Sequence, residues 1–192
     1  MRREPKPAQD RSRSPLLSLP YLLVALAVAA PLLAVYFYPY AEGGVIAARI
    51  QSYLAAYARI AGAVVGLFQP QVVVNGTTIQ GPQFSMQIVK TCDAMDVNIL
   101  LAAALAAFPM RLWRRLVVAL ASVLLLTSVN MGRLCALYWV GVHAHAWFDR
   151  VHQTVAPLFI VASALAIFLI ATQRRSGAAK NAASADSNPS CD

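Results

Sequence analysis

Three side chains in this sequence, set in three separate segments, have the types that an acyl-transfer site needs: Cys92, Arg133 and His152. A thiol with an imidazole is the minimum for an activated sulfur nucleophile. A guanidinium supplies positive charge where an oxyanion develops. Cys92 stands in the polar run Lys90-Thr91-Cys92-Asp93 and is expected at the start of a helix, where free amides and the helix dipole favour a thiolate. Asp93 and Asp96 oppose that charge, so a cationic partner is required. Arg133 interrupts an apolar helix, and an ionisable residue inside a membrane helix is a functional candidate by default. Asn130, three residues earlier on the same helix face, is placed to position Arg133 or a substrate carbonyl. His152 is expected to open the last helix with Asp149 one turn before it, a spacing suited to orienting an imidazole and fixing its tautomer.

Each of these residues also has a plain structural reading. A lone cysteine is most often a small buried hydrophobe, and an arginine near a helix end can reach back to the headgroups. His143 and His145 read as a solvated turn. Together with Asp149 and His152 they also form a candidate zinc-ligand set, although no HExxH helix accompanies it. Of the other cysteines, Cys135 is expected on a different face of the Arg133 helix, packed on lipid or another helix, and Cys191 falls in the C-terminal tail. Three cysteines at wide spacings, with no CxxC pair, make no disulfide framework.

The elements that position these residues are mostly apolar helices. Spans are expected at about 16–40, 93–109, 116–142 and 154–172. The first ends in Tyr36, Phe37, Tyr38 and Tyr40, an interfacial aromatic cluster. Its length favours a retained anchor over a cleaved signal peptide, for which Val28-Ala29-Ala30 supplies small residues. Residues 46–68 read as an amphipathic interfacial helix, with Arg49, Ser52, Ala56 and Arg59 on one face and Ile46, Ile50, Leu54, Tyr57 and Val64 on the other. Residues 72–90 read as a small β segment. Val72 to Val74 leads into an Asn75-Gly76 turn and a returning strand from Thr77 to Gln80, and Phe84, Met86 and Ile88 alternate after Gly81-Pro82. Residues 1–15 and 173–192 read as disordered tails.

Composition agrees with a lipid environment. The 192 residues are 59% hydrophobic and 12% charged, against roughly 45–50% and 25% for a soluble domain. The net charge of +8 does not point to nucleic acid, because 11 of the 16 basic residues fall in three short stretches beside apolar runs. These are Arg2 to Arg13, Arg111 to Arg115 and Arg174 to Lys180, the pattern of cytoplasmic segments. With those stretches inside, four spans close the parity. The termini are then cytoplasmic, and the β segment, Cys92 and a loop from Gly141 to Gln153 lie outside, which is the periplasm of a Gram-negative cell. The fold class expected is an all-α membrane protein: a bundle of about four transmembrane helices, with an interfacial helix and a small extracytoplasmic β segment.

The runs IVKTCDAMDVNILLAAALAAFP, NMGRLCALYW and FDRVHQTVAPLF, in that order, resemble the exosortase/archaeosortase family. That family leads an extracytoplasmic β-like segment into a Cys at a membrane helix. An Arg late in the next helix and a His after the following loop complete its pattern. The resemblance covers roughly Phe84 to Ile170 and implies Cys92 as nucleophile, Arg133 as oxyanion stabiliser and His152 as acid/base. Its N-x-x-R element falls on Asn130 and Arg133. Many members have a small residue or Gly soon after the Cys, where this chain has Asp93-Ala94-Met95, and long members carry additional N-terminal spans. The resemblance implies no cofactor. It implies membrane-anchored protein substrates with a C-terminal signal made of a short motif, a transmembrane helix and a basic tail. Read from the residues alone, two other classes stay open: a non-enzymatic transporter or scaffold, and a metal-binding protein built on His143, His145 and His152.

Overall fold

A computed structural model describes residues 19–41 and 44–185, with side chains described to residue 173. The basic N-terminal tail, Cys191 and the side chains of Arg174, Arg175 and Lys180 lie outside the described residues. Helix α1 (Leu19–Phe37) is followed by α2 (Val45–Gly66), then strands β1 (Val73–Asn75), β2 (Thr78–Gln80) and β3 (Ser85–Gln87). Helices α3 (Met95–Ala107), α4 (Leu112–His143), α5 (His145–Arg150) and α6 (Ala156–Ala185) complete the chain, with a π-helical turn (Val151–Val155) joining α5 to α6.

Three helical segments are long and apolar enough to cross a membrane: Leu19–Phe37, Leu112–His143 and His145–Gln173. The segment expected as a fourth span, 93–109, forms only the 13-residue α3. At 1.5 Å per residue it covers about 20 Å, less than a ~30 Å hydrocarbon layer. It is shortened at its start because residues 90–94 turn before helix begins, and it packs against α1, α4 and α6. Helices α1 and α2 end short of their expected ends at 40 and 68, whereas α4 and α6 run past theirs. α4 begins at Leu112 and continues to His143. The expected outer loop from Gly141 to Gln153 is replaced by a corner at one residue, Ala144 (φ −143°, ψ 52°), after which α5 starts at His145.

α2 is amphipathic, and its buried face is Leu54, Tyr57, Ala58, Ala61, Gly62 and Val65, the three- and four-residue steps of one helix stripe. Ile46 and Val64, expected on that stripe, are exposed. Gly62 takes a place there because β1 packs so close that a Cβ would collide with the Val74 side chain. The sheet is antiparallel in the order β1-β2-β3. Val74 pairs with Ile79 and Asn75 with Thr78. The two turn residues are therefore Gly76 and Thr77, one step later than the Asn75-Gly76 pair suggests. Gly76 has φ 57°, the positive φ that the first central residue of a primed hairpin turn requires. Ile79 and Met86 face inward from β2 and β3, and with Ile88, Leu134, Leu137, Tyr138 and the α2 stripe they form a core that also contains Cys92.

Candidate active site

Cys92 does not open α3. It sits three residues before the helix in a turn whose Cys92 N–H donates to the Val89 carbonyl at 2.8 Å. Ala94 precedes the helix with φ 55°, a left-handed backbone that costs an L-residue about 1–2 kcal/mol. The turn is anchored from α1. The Tyr36 hydroxyl shares its one proton between Asp93 Oδ2 at 2.7 Å and the Lys90 carbonyl at 3.0 Å. The Lys90 ammonium lies over the rings of Tyr36 and Tyr40. The aromatic cluster at the end of α1 thus holds the turn that carries Cys92. Asp93 is fully buried and accepts the Met95 N–H at 3.0 Å. Burial pushes its carboxyl above the ordinary carboxylate range, which weakens its opposition to a thiolate next door.

Arg133 is 8% exposed and Cys92 3%, so neither residue is a surface group. They are joined through Asn130. Its Nδ2 donates to the Cys92 carbonyl at 3.0 Å, and its Oδ1 accepts from Arg133 Nη1 at 3.1 Å. One amide therefore ties the turn of Cys92 to the cation on α4. Arg133 lies within electrostatic range of both the Cys92 thiol and the His152 imidazole. His152 lies in the π-helical turn rather than at a helix start. Its ring stacks on Phe148 one turn earlier, with centroids 5.5 Å apart and planes at 4°. Asp149 lines the same pocket as His152, but no hydrogen bond joins the two, and Phe148 is what orients the ring. Among the described residues four buried side-chain atoms have no hydrogen-bond partner, Asn98 Oδ1, Arg115 Nε, Arg133 Nε and His152 Nδ1. Such atoms are rare and call for an explanation; two of the four belong to the candidate site.

Two openings flank these residues. A groove of about 490 Å³ runs between α4 and α6, lined by Gly132, Arg133 and Ala136 on one side and Val155, Ala156 and Phe159 on the other. A pocket of about 320 Å³ lies between β3 and α5, with His145, Phe148, Asp149 and His152 on its helical wall. Of the other histidines, His145 shares this pocket with His152 and His143 does not line it. His143 stacks on Trp139 and His145 packs edge-on against Phe84. Among the described residues no group of three or more His, Cys, Asp or Glu side chains could hold a metal ion, so the zinc-ligand set suggested by spacing is not assembled. Cys135 is half-buried against α2, where its Sγ lies 4.0 Å from the Ala61 carbonyl oxygen, which makes it helix-packed.

The family model described as transmembrane exosortase (Exosortase_EpsH) matches residues 14–170, which include all of these residues. The chain belongs to the transmembrane exosortase family. No curated protein and no solved structure matches it. Membership together with the apolar helices makes it a multi-pass membrane protein, with a transpeptidase-like role in the bilayer. Sequence reasoning missed two parts of this exosortase's candidate site, the Tyr36 anchor and the Phe148 stack. The i, i+4 spacing of Phe148 and His152 was the one signal available beforehand.

Proposed function

We propose that this exosortase is a cysteine transpeptidase that cleaves membrane-anchored proteins on the extracytoplasmic face. Its substrates would end in a short motif, a transmembrane helix and a basic tail. The observation that carries the reading is the Cys92–Asn130–Arg133 connection, with Arg133 in electrostatic range of His152. The substrate helix packs into the groove between α4 and α6, where Gly132 and Ala136 permit close approach. Cys92 Sγ attacks the scissile carbonyl carbon while its proton passes to His152. Arg133 donates to the oxyanion that forms. Collapse breaks the C–N bond, His152 protonates the leaving amine, and the C-terminal helix departs with a new amino terminus. The thioacyl group remaining on Cys92 is then taken by an amine or a glycan hydroxyl, or by water, which gives hydrolysis.

The termini and the basic segment between α3 and α4 lie in the cytoplasm in this reading, with α3 completing the fourth crossing inside the bundle. The test is processing of a cognate substrate in cells. Cys92→Ala, Arg133→Ala and His152→Ala each reduce it by a factor of about 100 or more, the scale on which loss of an oxyanion donor or a general acid–base is felt. Normal processing by the Cys92→Ala protein removes the reading.

A further inference from the structure

We infer that the outer edge of β3 is a docking strand, on which the extended segment of the substrate at the scissile bond adds as a fourth strand of the sheet. This rests on the reading of Cys92, Arg133 and His152 as the processing site. In the β2–β3 pair Met86 faces Ile79, Ile88 N–H donates to the Thr77 carbonyl, and the Phe84 carbonyl accepts from Gly81 N–H. Residues 84, 86 and 88 therefore turn their backbone groups toward β2. By the alternation of an antiparallel ladder, Ser85 and Gln87 turn theirs the other way. Among the described residues no strand pairs with them on that side, and both residues are exposed.

The pocket beside this edge is lined by Phe84, Ser85, Met86 and Gln87 in unbroken succession. Successive side chains of a strand point to opposite faces, so an opening that touches four neighbours lies along the edge and not over a face. Its far wall carries His152. A peptide strand placed at the ~4.8 Å ladder spacing enters this opening and runs alongside the candidate acid/base residue. The edge of β1 lies two strands further away, about 10 Å at that spacing. Unpaired backbone donors and acceptors at a sheet edge are complementary to one chemistry, an extended backbone, whatever its side chains. The edge is also held in place before anything binds. Phe84 packs against Tyr138, His145 and Phe148, and Gly141 sits so close to the Phe84 ring that a Cβ there would collide with it.

The probe is a reporter domain ending in an extended segment, an apolar helix and arginines that the wild-type exosortase cleaves. In the full-length Cys92→Ala chain, with the remaining cysteines replaced by alanine, Gln87→Cys is paired with single cysteines at successive positions of that extended segment. Disulfides are expected at every second reporter position. Absence of disulfides, or a three- to four-residue period, overturns the docking strand. Independently, Gln87→Pro deletes an N–H that β2 does not use, which edge strands tolerate. It is expected to reduce processing about 10-fold with an unchanged unfolding temperature, and processing at the wild-type rate overturns the inference. Should Gln87→Pro lower the unfolding temperature, the disulfide pattern decides. A reporter processed normally by the Cys92→Ala chain refutes the catalytic reading and leaves the edge to be judged by its disulfides.

Discussion

Asn130→Ala removes both hydrogen bonds that join Cys92 to Arg133 and leaves a buried carbonyl and a buried guanidinium short of a partner. The expected cost is about 1–3 kcal/mol of stability, read as a lower unfolding temperature in detergent, with a larger fractional loss of processing than of folded protein. Ala94 makes a second residue-scale case. A β-branched side chain is worse than alanine at φ 55°, so Ala94→Val is expected to destabilise by roughly 2 kcal/mol or more, while Ala94→Gly is tolerated. This left-handed position gives a physical reason for a small residue soon after the cysteine. Asp93 adds a pH dependence. Its folded carboxyl is raised above 3.8 by burial, so the folded state binds the proton more tightly than the unfolded chain. Stability from this group is present below the unfolded value and declines as pH rises through the raised folded value. Asp93→Asn should flatten that decline in unfolding curves measured from acid to neutral pH. A wild-type profile identical to that of Asp93→Asn would contradict it.

At the scale of elements, the groove between α4 and α6 and the corner at Ala144 matter most. Nothing lies within 4 Å of a Cβ built on Gly132, so Gly132→Ala should fold and process normally. Gly132→Leu fills the groove beside Arg133 and is expected to reduce processing about 10-fold or more with little change in the unfolding temperature, since the new Cβ meets nothing within 4 Å and the rest of the side chain enters the groove. Gly141→Ala behaves in the opposite way. Its methyl would strike Phe84, and overpacking of this kind costs about 1–3 kcal/mol, so both stability and processing should fall. The helix types and their rough positions were legible from apolar runs and from the two arginines of α2. Their ends were not. The start of α3 is set by Tyr36 and Asn130 holding residues 90–93 in a turn, and no local pattern records partners that lie tens of residues away. The expected loop around His143 and His145 is helical instead, with the His143 ring stacked on Trp139 one turn earlier and the His145 ring edge-on to Phe84, a distant partner that no local pattern records.

For the whole molecule, lipid is the solvent, and in the proposed topology the charge pattern orients the chain in it. A cysteine introduced at exposed Ser85 in intact cells should react with a membrane-impermeant maleimide, whereas Cys191 should react only after permeabilisation. The reverse pattern would invert the proposed topology. Cys92, at 3% exposure, should react slowly with the same reagent. By itself, the sequence determined that this is a membrane protein, which residue types could act, and the order in which the helices carry them. These follow from composition, hydropathy and spacing, which are local quantities. Only the tertiary structure decided that Asn130 links Cys92 to Arg133, that Phe148 rather than Asp149 orients His152, that the histidine set does not assemble, and that an unpaired strand edge borders the site. Apart from the Phe148–His152 stack, which joins residues one helical turn apart, those are contacts between segments far apart in the chain, and they depend on how the helices pack.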